Sequence, residues 1–164
     1  MTDFRRLLDA LTEGHVEFVI VGGLASTAHG SARLTQDIDV VYSRAAANLD
    51  RLIVALAPYH PYLRGAPAGL PFLWDVATLR RGLNFTLTTT IGDIDLLGEI
   101  AGGGGFEALR PHTVELEMFG FRCRCLDLPT LIHVKRAAGR PKDLEVLAEL
   151  EALLEEQDES GNRP

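Results

Sequence analysis

VEFVIVGGLASTAHGSARLTQDIDVVY, residues 16–42, holds two apolar runs separated by a glycine pair and a segment of small residues. The first run, residues 16–21, is continuous and rich in β-branched side chains, the pattern of a strand covered on both faces. Gly22 and Gly23 end it, LASTAHG (24–30) fits a short helix closed by Gly30, and IDVVY (38–42) is a second strand. Side chains alternate along a strand, so Asp37 and Asp39 project from one face while Ile38 and Val40 turn to the core. Neighbouring carboxylates disfavour each other's ionisation unless positive charge lies between them. Oxygen-rich carboxylate sites suit Mg²⁺ and Mn²⁺, and the spacing predicts a divalent-cation site at Asp37 and Asp39.

On either side, helices and strands interleave. Phe4, Leu7, Leu8 and Leu11 recur at helical spacing over residues 3–13, and residues 45–58 form a helix ended by Pro58. Residues 58–71 carry four prolines and read as an irregular surface segment. LNFTLTTT (83–90) and IDLL (94–97) are neighbouring strands of a hairpin. AGGGG (101–105) reads as a flexible loop without a phosphate-binding role, since no Lys-Ser/Thr pair follows it. TVELEMFGFRCRCL (113–126) alternates about Gly120 as a second hairpin, and residues 128–138 and 141–156 are helices. This order predicts an α/β (α+β) fold, a mixed β-sheet flanked by helices. It is expected as a single domain over 1–156, with a core at about 15–100, a C-terminal hairpin and helices at about 106–156, and a disordered tail at 157–164.

The 164 residues, 46% of them hydrophobic, suffice for one core. No apolar run reaches the roughly 18 residues of a membrane span, and the opening residues lack the apolar centre of a signal peptide, so a cytoplasmic protein with no membrane contact is expected. A net charge of −7 argues against broad electrostatic binding to nucleic acid. Basic residues nonetheless gather in the C-terminal third, among them Lys135, Arg136, Arg140 and Lys142. Cys123 and Cys125 share one face of a strand and are expected to be buried, inert thiols. The five histidines show no metal-ligand spacing.

A third carboxylate comes from GDIDLLG (92–98). Asp95 lies between Ile94 and Leu96, which lets a strand bury its neighbours while its own side chain reaches a site. Asp93 has the same parity but sits beside Gly92, where a turn aspartate is common, and ranks below Asp95. Asp37, Asp39 and Asp95 could hold two metal ions, one activating a nucleophile and one bound to a departing phosphate. Gly22 and Gly23, before a helix, let backbone approach a polyphosphate with no side chain in the way. Ser26 could add a hydroxyl, and Arg33 could pair with phosphate.

These residues resemble the nucleotidyltransferase superfamily that includes DNA polymerase beta. Its motif is Gly-Gly or Gly-Ser at a helix start, an acid-x-acid pair, and a third acid on a later strand. Here those positions are Gly22-Gly23, Asp37-Ile38-Asp39 and Asp95. GGLASTAHGSARLTQDIDVV, together with LIHVKRAAGRPKDLEVLAEL, is similar to the small bacterial branch related to AbiEii-type toxin nucleotidyltransferases. Gly23 replaces the usual serine of the Gly-Ser form, as in that toxin-like branch, and the chain is shorter than full-length toxins of the branch.

The resemblance implies the nucleotidyltransferase fold with C-terminal helices, a Mg²⁺ or Mn²⁺ cofactor and an NTP co-substrate. The implied activity moves a nucleoside monophosphate to an acceptor hydroxyl and releases pyrophosphate. The acceptor could be a tRNA end or other RNA, a protein or a small molecule. A place in a toxin–antitoxin pair, with a cognate partner protein, is also implied. Asp37, Asp39 and Asp95 would be the metal-holding catalytic acids, with Lys135 as a catalytic and triphosphate-binding cation. Gly22, Gly23, Ser26, Arg33, Arg140 and Asp143 would contribute to the nucleotide site. Two other readings stay open: a nucleotide- or partner-binding module of the same fold without turnover, and a metal-dependent phosphodiesterase or nuclease.

Overall fold

A computed structural model describes residues 1–161. α1 (Phe4–Glu13) starts at Asp3, whose carboxylate accepts the Arg6 N–H at 3.0 Å, and it turns Leu7, Leu8 and Leu11 into the core. β1 (Phe18–Val21) runs directly into α2 (Gly22–Ala28), so the glycine pair forms the first turn of the helix rather than a break before it. β2 (Asp37–Tyr42) and α3 (Ala46–Leu56) follow, then β3 (Tyr62–Leu63), α4 (Val76–Arg81) and the hairpin of β4 (Phe85–Thr89) and β5 (Gly92–Leu97). A small ribbon of β6 (Glu99–Ile100) and β7 (Gly104–Gly105) leads through α5 (Phe106–Leu109) to a second hairpin, β8 (Thr113–Met118) and β9 (Phe121–Leu126). The chain closes on α6 (Leu128–Ala138) and α7 (Pro141–Gly161).

Seven strands form one sheet in the order β3-β4-β5-β2-β1-β9-β8. β2 pairs with β5 and β1 with β9 in parallel, and the other pairs are antiparallel, giving the expected mixed sheet flanked by helices. The C-terminal hairpin thus extends the same sheet that carries residues 37–42. Val19, Ile20, Ile38, Val40, Ile94 and Leu96 fill the core with Leu52 and Leu56 of α3 and Leu131 of α6. Each such side chain contributes roughly 2 kcal/mol by leaving water. The N-terminus pins the entry to the two central parallel strands. The Thr2 hydroxyl donates to the Gln36 carbonyl and accepts the Asp93 N–H at 3.0 Å.

Several local expectations change. Residues 58–71 are not wholly irregular: Tyr62 and Leu63 pair with Thr88 and Leu87 as an edge strand, the position that tolerates flanking prolines. α4 was not anticipated, although Asp75 caps it by accepting the Thr78 N–H at 2.8 Å. Within 101–105, Gly104 and Gly105 are strand residues paired with Ile100 and Glu99, so the flexible stretch shrinks to a tight turn. α7 continues through Gly161, five residues into the expected disordered tail; residues 162–164 lie outside the described residues. Cys123 and Cys125 are buried free thiols, and burial pushes Cys125 up to about 12. No helix among the described residues is long and apolar enough to cross a membrane.

Candidate active site

The parallel pairing of β2 with β5 sets Asp37 beside Asp93 and Asp39 beside Asp95. Their shared parity puts all four carboxylates on one face, while Ile38, Val40, Ile94 and Leu96 are buried on the other. Asp37, Asp39 and Asp95 each present an oxygen within 4.8 Å of the other two. Burial, then the charges of Asp37 and Asp95, push Asp39 up to about 8. Burial and Asp95 also raise Asp37, against the opposing charge of Arg64. Asp39 Oδ1 is buried with no hydrogen-bond partner among the described residues. A buried polar atom left unpaired is costly. An all-oxygen donor set of this compactness suits a hard divalent cation, which would satisfy that atom and relieve the repulsion. The residues present therefore fit Mg²⁺ or Mn²⁺.

The glycine pair makes room for this cluster. Gly22 adopts φ +67°, and a Cβ there would lie 2.0 Å from Asp39 Oδ2, so the start of α2 can rest on Asp39 only without a side chain. A Cβ on Gly23 would come within 2.8 Å of Thr35 Oγ1, and that hydroxyl donates to the Asp37 carbonyl at 3.1 Å. Ser26 is buried one turn later with its hydroxyl donating to the Gly22 carbonyl at 3.3 Å.

The C-terminal helices supply cations. Lys135 on α6 and Arg140 in the α6–α7 turn converge on Asp143 of α7, which is 1% exposed. Asp143 accepts from the Arg140 backbone N–H at 3.2 Å and Nε at 2.6 Å, and Lys135 Nζ lies 3.7 Å away. Burial alone would raise Asp143, but the Arg140 hydrogen bonds and the Arg140 and Lys135 charges outweigh it and hold the carboxyl low. Burial lowers Lys135, against the pull of Asp143 and Asp39. A cleft of about 220 Å³ joins these cations to the acids: Asp37 and Asp39 on one side, Lys135, Arg140, Lys142 and Arg33 around it. Gly23 and Ser26 line the same cleft. Arg33 stands at its exposed rim, paired with Glu145 at 3.5 Å. An apolar cavity of about 80 Å³, walled by Leu97, Ile100, Leu131 and Val134, opens on the other side of Lys135.

The structure thus brings every residue singled out in the sequence into one neighbourhood, with Asp95 joined through the carboxylate cluster rather than along the cleft wall. Two further residues belong here. Lys142, read in the sequence only as one of the C-terminal basic residues, lines the cleft just after the helix-opening proline. Arg64, from the proline-rich segment, forms ion pairs with Asp95 at 2.9 Å, Asp93 at 3.4 Å and Asp37 at 3.5 Å. Asp93, ranked below Asp95, is a strand residue of the same face and lies outside the compact trio.

No protein-family model matches the chain, and no curated protein sequence does. Solved structures do match. A candidate nucleotidyltransferase from Thermotoga maritima is 15% identical with a TM-score of 0.58, the match covering 91% of this chain and 94% of that one. The lincosamide antibiotic adenylyltransferase LnuA, solved with lincomycin bound, is 15% identical with a TM-score of 0.60 over 93% of this chain and 98% of its own. ANT(2")-Ia, in complex with adenylyl-2"-tobramycin, is 18% identical with a TM-score of 0.54 over 90% of each chain. Likeness at this level of identity speaks for architecture, and across nearly its whole length the chain has the nucleotidyltransferase fold.

Proposed function

We propose that the protein transfers a nucleoside monophosphate from an NTP to an acceptor hydroxyl, releasing pyrophosphate. The observation that carries this reading is the carboxylate trio with its orphaned Asp39 oxygen, two of whose acids, Asp37 and Asp39, share one cleft with four cations. Hydrolysis of an ordinary phosphodiester releases no polyphosphate, whereas four cations around the cleft suit the charge of a triphosphate.

Asp37, Asp39 and Asp95 would hold Mg²⁺ or Mn²⁺, which when bound neutralises triphosphate charge and acidifies the acceptor hydroxyl. Asp95 takes the acceptor proton. The acceptor oxygen bonds to the α-phosphorus as the bond from that phosphorus to the α–β bridging oxygen breaks, and the electron pair leaves with pyrophosphate. Lys135 and Arg140 meet the charge that grows on the leaving group, and Asp143 keeps both aimed at it. Gly22, Gly23, Ser26 and Arg33 bound the phosphate path.

The acceptor we favour is a small molecule. The LnuA and ANT(2")-Ia structures hold lincomycin and an adenylylated tobramycin, and a net charge of −7 suits a neutral or cationic acceptor better than an RNA surface. A toxin–antitoxin pairing rests on the sequence resemblance alone.

The test supplies each α-labelled NTP in turn with Mg²⁺ or Mn²⁺ and a panel of aminoglycosides, lincosamides and cell extract. Label entering a small-molecule fraction in step with pyrophosphate release is expected. Label entering RNA would replace the acceptor assignment. NTP hydrolysis with no labelled acceptor, or binding with no product, would overturn transfer itself.

A further inference from the structure

Arg64 reaches the carboxylates from two strands away. β3 pairs with β4, β4 sets Thr86 opposite Asp95, and β5 sets Asp95 opposite Asp39. Arg64 follows Leu63 and continues that ladder, its backbone N–H donating to the Thr86 carbonyl at 3.0 Å. Arg64, Thr86, Asp95 and Asp39 therefore form one row across the sheet, on the face that carries all four acids. Two strand spacings are about 10 Å, a gap closed by an extended arginine together with the facing aspartate side chain, and the planar guanidinium fork divides among three carboxylates.

The contacts are unequal. Nη2 is anchored by donating to the Leu87 carbonyl at 2.7 Å and lies 2.9 Å from Asp95, whereas Asp93 and Asp37 stand at 3.4 and 3.5 Å. Arg64 Nε and Asp95 Oδ1 form charge contacts without aligned hydrogen bonds. No ion pair joins Arg64 to Asp39, the acid whose Oδ1 lacks a partner.

We infer that Arg64 is a positioning residue that serves as the resident counter-ion of the cluster, orienting Asp95 and releasing Asp37 when a divalent cation is bound. The inference rests on the nucleotidyl-transfer reading of this site. A guanidinium close to Asp37 competes with a metal ion for the same oxygens, so the protein without nucleotide holds metal weakly and the ion loads together with the triphosphate. Asp95 keeps its tight contact throughout, which fixes the base in place.

The experiment is a nucleotide-free Mn²⁺ titration of the full chain by calorimetry and electron paramagnetic resonance, comparing wild type with Arg64→Gln and Arg64→Lys. Removing a unit positive charge beside a divalent site should tighten Mn²⁺ binding about tenfold in Arg64→Gln, with Arg64→Lys in between. In the transfer assay Arg64→Gln should lower kcat while also lowering the metal concentration for half-maximal rate, a split that a merely structural residue would not give. On the wild-type protein, independent of any variant's folding, the Arg64 Nε–H resonance should shift on adding Mg²⁺. Equal or weaker Mn²⁺ binding by folded Arg64→Gln, or an Arg64 resonance unmoved by Mg²⁺ that does bind, overturns this inference and leaves the transfer reading standing. Absence of Mn²⁺ binding in every variant, even with saturating NTP, overturns both.

Discussion

Asp39 and Asp95 are register partners on adjacent parallel strands, on one face, each with an oxygen within 4.8 Å of the other. Like charges directly opposite each other across a strand pair destabilise a sheet. Arg64 pairs with Asp95, but Asp39 keeps a buried oxygen without a partner and its ionisation is disfavoured, the expected signature of a site completed by a cation.

The first prediction concerns pH. Asp39 titrates at about 8 in the folded protein against about 3.9 in an unfolded chain. Between those values the folded state holds the extra proton, so the contribution of Asp39 to metal-free stability falls as pH rises from about 4 to 8. Asp39→Asn stays neutral at every pH and so escapes that loss. In EDTA the variant should melt at or above wild type, with the largest gain near pH 8, and it should lose the stabilisation that Mg²⁺ gives wild type. A lower melting temperature for Asp39→Asn in EDTA at pH 8 would contradict it.

Gly22→Ala should damage fold and site together. The left-handed φ costs a non-glycine residue about 1 kcal/mol, and the added Cβ meets Asp39 Oδ2 at 2.0 Å. Denaturant unfolding should show a loss of at least that size, and Mn²⁺ binding should weaken because Asp39 must move. Unchanged binding would mean that Asp39 does not coordinate the ion.

Asp143 and Lys135 should separate stability from chemistry. Asp143→Ala leaves Lys135 without the carboxylate that balances its burial, a loss of roughly 3 kcal/mol. Lys135→Gln removes a cation from the cleft, and kcat should fall about a hundredfold with little change in melting temperature. Melting curves and steady-state kinetics on the two variants check this; full turnover by Lys135→Gln would remove it from the leaving-group site.

The elements legible in the sequence are those whose signal is local. Alternation within 37–42 and 93–97 fixes which side chains share a face, and the same parity rule selects Asp95. Helical spacing finds α1 and α6, whose caps Asp3 and Asp127 lie beside their apolar positions. Arg64 could not be read this way. Its role depends on β3 pairing with β4, which lies over 20 residues later, and β3 itself is too short to show a period. Nor does local pattern distinguish glycines that precede a helix from glycines that form its first turn. That choice follows from Gly22 packing on Asp39, a contact between residues far apart in sequence.

The most direct test of transfer uses wild type and Asp39→Asn, matched by melting in EDTA, with α-labelled NTP, Mg²⁺ and the small-molecule acceptor panel. The account predicts labelled acceptor and equimolar pyrophosphate with wild type and a loss of at least a hundredfold with Asp39→Asn, a folded protein with one carboxylate oxygen replaced. Undiminished labelling by Asp39→Asn would contradict it.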